Sequence, residues 1–452
     1  MANVIKLRKG LNINLKGRAL KECTALKAGG TYALTPNDFV GLTPKIMVKE
    51  GDSVKAGDVL FVDKKCPDVC VVAPASGTVT EVVRGERRKL LCIKVKMDAK
   101  QQSADFSKDV KAAVKGTADE VVNMLLKTGM FAFFRQLPYA VVASPNDRPK
   151  AIFVSAFRDM PLAADVEYQL EGEADNFQKG LDVLSSIADT HLGVSAAQKA
   201  AWLTDAKNVK LTVYDGPCPA GNVGVQVNHI APVNKGEVVW TIDPLAVCYI
   251  GRLMNTGHTD FTHRVAVAGS EVKAPAYVEV MPGTALNVVL KDQIADDANV
   301  RIIMGNPLTG RHTTADDTVG MLTSEVTVIP EGDDRDELLG WMMPRFKEFS
   351  ANHSYFSWLL GRKREYALDA RIKGGKRHMI MSGEYDKVFP MDIYPEYLIK
   401  AIIAGDIDKM EQLGIYEVAP EDFAVAEFVD SSKLELQRIV REGLDMLRKE
   451  NA

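Results

Sequence analysis

Residues 129 to 139 read Gly-Met-Phe-Ala-Phe-Phe-Arg-Gln-Leu-Pro-Tyr, which gathers Phe131, Phe133, Phe134, Arg135 and Tyr139 into one short stretch. Two uses fit such a cluster. Packed together, the rings are the core of a domain junction, the commoner fate of this composition. Opened on one side, they form a flat apolar slot in which a quinone ring stacks.

Other reactive side chains are sparse and badly spaced for catalysis. The six cysteines (Cys23, Cys66, Cys70, Cys92, Cys218, Cys248) include no Cys-x-x-Cys pair. A four-thiolate zinc site from the first four is therefore set aside in favour of buried or inert thiols. His229, His258 and His263 have no acidic helper at metal-site spacing, and neither a His-Glu-x-x-His nor a Gly-x-Ser-x-Gly motif occurs. Gly305-Asn-Pro-Leu-Thr-Gly310-Arg-His-Thr313 imitates a phosphate loop, but Arg311 stands in place of the lysine and His312 in place of the hydroxyl. It reads as a hairpin connection. Gly216-Pro-Cys-Pro-Ala-Gly221-Asn-Val-Gly224 follows a strand and could hold an anion on its amides, yet no Gly-x-Gly-x-x-Gly fingerprint accompanies it.

The elements that must position these residues alternate in type along the chain. Between Thr43 and Val95, short apolar runs punctuated by Gly51-Asp52 and Gly57-Asp58 predict a small all-β domain. A helical passage over 103–126 precedes a strand at 151–155, a helix over 175–192 and a strand at 209–214, a pattern that argues for an α/β layer with parallel strands. Strands are predicted again at 264–268, 277–280, 286–290, 300–304 and 325–329. Beyond Trp341 the pattern turns helical: Pro395 opens one helix that Gly405 ends, 406–413 forms another, and Ser432 with Glu435 predicts a capping box ahead of Leu436.

The cadence Val48-Lys-Glu-Gly-Asp-Ser-Val-Lys-Ala-Gly-Asp-Val-Leu60, followed by Ala73-Pro-Ala-Ser-Gly-Thr-Val79, resembles the biotinyl/lipoyl-type barrel-sandwich hybrid. Carriers of that family bear a modified lysine on the hairpin between the two halves. Lys64 and Lys65 fall near that point, but in neither of the usual sequence contexts, so a surface turn with ordinary lysines is the expectation.

With 452 residues, 46% of them apolar and 26% charged, the chain is long enough for several domains of a soluble globular protein. A formal net charge of −4 without a long basic block excludes nucleic acid as a natural partner. The amino terminus has no secretory pattern, and no run nears the ~18 apolar residues of a membrane helix. A cytoplasmic location is expected, with any membrane association coming through a partner.

Taken together, Ala73–Val79, Gly216–Gly224, Val239-Trp-Thr-Ile242, Ile250-Gly-Arg-Leu253, Leu339-Gly-Trp341 and Val388-Phe-Pro-Met-Asp-Ile393 carry a resemblance over the full length. The chain is similar to the A subunits of the Na+-translocating NADH:quinone oxidoreductase. The resemblance implies an α+β, multi-domain fold: a biotinyl/lipoyl-like β domain (1–100), a Rossmann-like α/β domain (101–255), a β-grasp of the soluble-ligand-binding type (256–335) and a mainly helical carboxyl-terminal domain (336–452). It implies a peripheral protein, without a transmembrane helix, on the cytoplasmic face of the bacterial inner membrane. The partners would be the other members of a six-subunit complex, above all the flavin-carrying B subunit of its membrane part.

The same resemblance implies a part in quinone reduction, with Phe131, Phe133, Phe134, Arg135 and Tyr139 as quinone contacts and no catalytic or metal-binding residue. FMN, FAD, riboflavin and Fe–S clusters would belong to partner subunits, and the isolated chain would be inactive. Related flavin-binding NADH subunits of respiratory complex I and of the Rnf complex hold flavin on a glycine-rich loop. Here the corresponding stretch is the bulky Gly129–Pro138, and no cysteine lies beyond Cys248 to ligate a cluster. At Cys218 the family usually has histidine, so no mechanistic role is carried over to that loop. A pure assembly scaffold, or a flavin- or lipoyl-dependent carrier, are the alternative functions.

Overall fold

The computed structural model describes residues 3–26, 30–295, 299–333, 343–361 and 363–451. The Leu339–Trp341 motif lies outside them. Among the described residues the largest sheet has seven strands, in the order Asn3–Lys6, Lys210–Asp215, Thr190–Ser195, Ile152–Ser155, Val239–Thr241, Arg135–Leu137, Val141–Val142. The first five run parallel and the last two antiparallel. Ile152, Phe153, Val154, Val239 and Trp240 are buried, as parallel strands covered on both faces require.

Helices Ala174–Ser185 and Pro244–Thr256 pack against each other at a crossing that only glycine permits. A Cβ on Gly180 would lie 2.1 Å from the Val247 carbonyl, and one on Gly251 would lie 1.7 Å from the Asn176 carbonyl. Asp243 starts the second helix by accepting the Leu245 amide at 2.8 Å, ahead of Pro244 in the first turn.

The barrel-sandwich hybrid is built from a four-stranded sheet (Thr31–Leu34, Leu90–Met97, Gly77–Arg84, Ser53–Val54) and a three-stranded one (Pro44–Ile46, Val59–Asp63, Cys70–Val72). Its internal repeat is a turn made twice. Asp52 accepts the Lys49 amide and Asp58 the Lys55 amide, both at 2.7 Å, with Gly51 and Gly57 at φ +90° and +94°. Those φ values are natural only for glycine, which is why the cadence repeats. Lys64 and Lys65 follow Val59–Asp63, where the Asp63 carboxylate accepts the amides of Thr43 and Lys65 and fixes a tight turn.

A six-stranded sheet follows the order Arg311–Thr313, Val300–Met304, Glu325–Pro330, His263–Ala268, Ala276–Val280, Leu20–Ala25. The segment before Thr31 thus threads two other sheets before entering the barrel: Asn3–Lys6 pairs with Lys210–Asp215, and Leu20–Ala25 with Ala276–Val280. The expected 1–100 unit accordingly contains two strands whose hydrogen bonds lie elsewhere. The carboxyl-terminal part has helices Pro395–Ala404, Ile407–Gln412, Ala424–Val429 and Leu436–Glu450 around a core that includes Leu398, Phe423, Leu436 and Leu444.

Three local expectations differ from the structure. The 286–290 run is a helical turn, Leu286–Val289; Leu286, Val289 and Leu290 are spaced i, i+3, i+4, which suits a helix face. The 175–192 stretch divides into the helix Ala174–Ser185 and the strand Thr190–Ser195. Ser432 makes no capping box. It is buried and accepts the Ile380 amide at 3.3 Å, while the helix begins at Leu436 with Glu435 bonded to Lys376 and Arg438.

Candidate functional site

The strand order of the seven-stranded sheet reverses at Ile152–Ser155. From it, the chain passes through Ala174–Ser185 to Thr190–Ser195 on one side; from Lys210–Asp215, it returns through Val223–Ile230 to Val239–Thr241 on the other. The carboxyl ends of the two neighbouring strands therefore diverge, and such switch points are where open α/β sheets leave a ligand crevice. A cavity of about 700 Å³ opens there, within the size range of small-molecule sites. Ser155 and Thr241 form its floor. Phe39 of the barrel, Met304 and Met321 of the six-stranded sheet's domain, and Glu421 and Arg441 of the helical end complete its walls.

The polar groups of this cavity are tied into the scaffold. Arg158 donates to both oxygens of Asp243, at 3.0 and 2.8 Å, and to Gln169 Oε1 at 2.7 Å. Ser155 Oγ donates to the Gly221 carbonyl at 2.8 Å, and Asp159 accepts the Gly221 amide at 2.9 Å. Asp159 Oδ1 is buried without a hydrogen-bond partner among the described residues. Burial pushes the Asp159 carboxyl up to about 6, against the amide that favours its ionised form. Asp38, which accepts the Met321 amide at 3.1 Å, is likewise raised to about 6 by burial. Burial also raises Glu325, which accepts the Ala164 amide at 3.1 Å. The site thus combines an apolar wall with several carboxyl groups that hold protons more readily than carboxyls in water.

The residues singled out in the sequence separate here. Phe131 and Phe134 are fully buried, stacked on each other at 5.4 Å and edge-on to Trp240 at 5.3 and 5.5 Å. They are core. Phe133 faces the other way and lines the cavity, its ring 5.9 Å from Phe39, 5.8 Å from Tyr249 and 5.9 Å from Phe261. Tyr249 is held in turn by its hydroxyl, 2.9 Å from His263 Nδ1. Arg135 also lines the cavity, paired with Glu421 at 2.9 Å. Tyr139 lies outside it; its hydroxyl accepts from Asn451 Nδ2 at 3.2 Å. The Gly305–Gly310 turn connects two antiparallel strands and forms part of the wall. Sequence reasoning missed Asp38, Asp159, Asp243 and Glu325, which come from four distant segments. The signal available was the run Val239–Ile242 leading into Asp243-Pro244, a strand end followed at once by a helix start.

Fold and cavity define a multi-domain α/β protein with a ligand-sized crevice at the switch point of a doubly wound sheet. Three family models match the chain: "NqrA N-terminal barrel-sandwich hybrid domain" over residues 5–98, "NqrA second alpha/beta domain" over 116–259 and "NQRA C-terminal domain" over 264–315. Curated relatives run end to end with it. The A subunit of the Na(+)-translocating NADH-quinone reductase of Rhodopirellula baltica is 32% identical over 99% of both chains. Its counterparts in Neisseria meningitidis serogroup B and Pasteurella multocida are each 33% identical over 99% of this chain and all of theirs. The chain belongs to the family of Na(+)-translocating NADH-quinone reductase A subunits. Among solved structures, an NAD+-reducing [NiFe]-hydrogenase overlaps in two states. The air-oxidized form is 13% identical over 51% of this chain and 52% of its own, with a TM-score of 0.32. The H2-reduced form is 11% identical over 50% and 49%, with a TM-score of 0.33.

Proposed function

We propose that this chain is the peripheral, cytoplasmic-side A subunit of a sodium-pumping NADH:quinone reductase and shapes the site where quinone is reduced, while electrons travel through partner subunits. The observation that supports this most is that Phe133 and Arg135 both line the switch-point cavity. A cavity that offers an aromatic ring and a guanidinium suits a planar ring that carries carbonyl oxygens. On the family resemblance, the bulky Gly129–Pro138 stretch stands in place of a flavin-binding glycine-rich loop, and electron transfer is accordingly assigned to FMN, FAD, riboflavin and Fe–S centres of the partners. The 256–335 unit is read as the β-grasp, and the nearest partner as the B subunit of the membrane part. Among the described residues no helix is long and apolar enough to cross a membrane, which fits attachment from one side.

The test is quinone titration of the whole chain and of the assembled complex, followed by tryptophan fluorescence. Trp240 packs behind the cavity-lining segment and serves as reporter. Phe133→Ala and Arg135→Ala are expected to weaken binding at least about tenfold in both preparations, a contact loss of ~1.4 kcal/mol or more. Phe131→Leu should lower stability and leave affinity near wild type. Saturable binding indifferent to both cavity variants would discard the quinone-site reading and leave a scaffold.

A further inference from the structure

The segment from Met343 to Leu360 packs Phe349 inward on Tyr366 and Phe428 but turns its other large apolar side chains outward. In the turn Phe356–Leu360, Ser357 is fully buried whereas Phe356, Trp358, Leu359 and Leu360 are 46–61% exposed, and Met343 and Phe346 add to the same surface. A core-facing helical turn does the reverse. The rings are held in place: Phe346 lies 6.2 Å from Phe356, His353 lies 4.8 Å from Trp358, and the Phe356 amide donates to the Pro344 carbonyl at 3.0 Å.

Charge around this patch is opposite in sign to that of the whole chain. Residues 343 to 380 contain nine lysines and arginines against three carboxylates, in a protein of net charge −4. Lys373 and Lys376 are engaged by Glu348, Asp369 and Glu435. Lys347, Lys363 and Arg364, close in the chain to the apolar tip, are exposed, with the Arg364 guanidinium 5.7 Å from the Tyr366 ring.

We propose that this patch seats the protein directly on an anionic lipid surface, with Trp358, Leu359 and Leu360 entering the headgroup region and the basic rim facing lipid phosphates. Tryptophan, phenylalanine and leucine ringed by lysine and arginine is the composition that settles at a bilayer interface. Protein interfaces are depleted in lysine, whereas an anionic leaflet attracts it. The inference does not rest on the quinone reading.

The experiment is co-sedimentation of the whole chain with vesicles of phosphatidylcholine alone and of phosphatidylcholine mixed with phosphatidylglycerol. Partitioning is expected to be at least about tenfold stronger on the anionic vesicles and to fall as salt is raised. Trp358→Ser with Leu359→Ser, and separately Lys363→Glu with Arg364→Glu, should each reduce it at least about fivefold without lowering the melting temperature. Brominated lipid should quench fluorescence in wild type and not in Trp358→Phe. Equal partitioning to both vesicle types overturns the proposal, as does wild-type partitioning by both double variants. So do variants that bind vesicles normally but fail to co-purify with the membrane subunits, a result that would reassign the patch to a protein partner.

Discussion

Arg135 Nη1 lies 2.9 Å from Glu421 Oε1, so that a strand of the seven-stranded sheet and a turn of the carboxyl-terminal helical part close one wall of the cavity between them. The guanidinium also donates to the Ala140 carbonyl at 3.5 Å. Burial opposes the charge on Glu421, yet Arg135 holds that carboxyl below its ordinary value.

The pair should therefore couple the two domains energetically. Its side chains are 40% and 26% exposed, which places the coupling nearer ~1 kcal/mol than the several kcal/mol of a fully buried pair. A double-mutant cycle of Arg135→Met and Glu421→Gln, followed by urea unfolding, should give a coupling of that size. Strict additivity would mean that the contact is solvated and carries no domain coupling.

Gly251 and Gly180 make an opposite use of space. Each sits inside a helix, where alanine is intrinsically favoured by about 1 kcal/mol. Each also meets a backbone carbonyl of the other helix, closer than any Cβ can approach. Gly251→Ala should destabilise by about 1–3 kcal/mol through overpacking. A rise in melting temperature would show that the helices can separate at no cost.

The barrel was legible because its turns need φ values that strongly favour glycine, and Gly51 and Gly57 announce them. The parallel sheet was legible from buried apolar runs such as Ile152–Val154. The cavity was not. Its carboxyl groups, Asp38, Asp159, Asp243 and Glu325, are unremarkable where they stand in the chain and acquire meaning only when the sheet reverses its strand order. The aromatic stretch was legible as a cluster but not as two faces: Phe133 turns toward the cavity while Phe131 and Phe134 turn toward Trp240, and a short 3-10 turn at Met130–Phe133 decides which. The capping box at Ser432 failed because a tertiary hydrogen bond to Ile380 took the hydroxyl.

Thiol reactivity should divide the cysteines in two. Cys23 is exposed, and Cys66 and Cys92 are half-buried, whereas Cys70, Cys218 and Cys248 are buried. Burial pushes the Cys70 thiol up to about 11, and its Sγ donates to the Leu126 carbonyl at 3.1 Å. Burial raises Cys218 and Cys248 as well. A thiol-exchange reagent at neutral pH should titrate Cys23, Cys66 and Cys92 in the folded chain and the other three only on unfolding, since the thiolate is the reacting form. Rapid labelling of Cys218 would show that the Gly216–Gly224 loop opens.

Asp422 gives the folded protein a predictable response to pH. Its carboxylate is 1% exposed and accepts the Ala419 amide at 2.9 Å and Asn222 Nδ2 at 3.2 Å, joining the helical part to the start of the helix Val223–Ile230. No room is left on the far side, because a Cβ on Gly224 would come within 2.2 Å of Oδ2. Burial, and then the neighbouring Glu421 charge, raise its pKa above the ordinary aspartate value. In the unfolded chain Asp422 ionises near pH ~4. Above that pH the folded state still holds the proton that the unfolded state has released, so the folded state binds more protons and stability falls as pH rises. The loss should proceed from about pH 4 toward neutrality and level off once the folded carboxyl has ionised. Asp422→Asn cannot ionise and should flatten that part of the curve. Its absolute stability drops because one of the two donors then faces an amide N–H, so the slope between pH 4 and 7 (about the span separating ordinary from raised aspartates) is the quantity to compare. Identical slopes in wild type and Asp422→Asn would place the titrating groups elsewhere, with Asp38 and Asp159 as the next to replace.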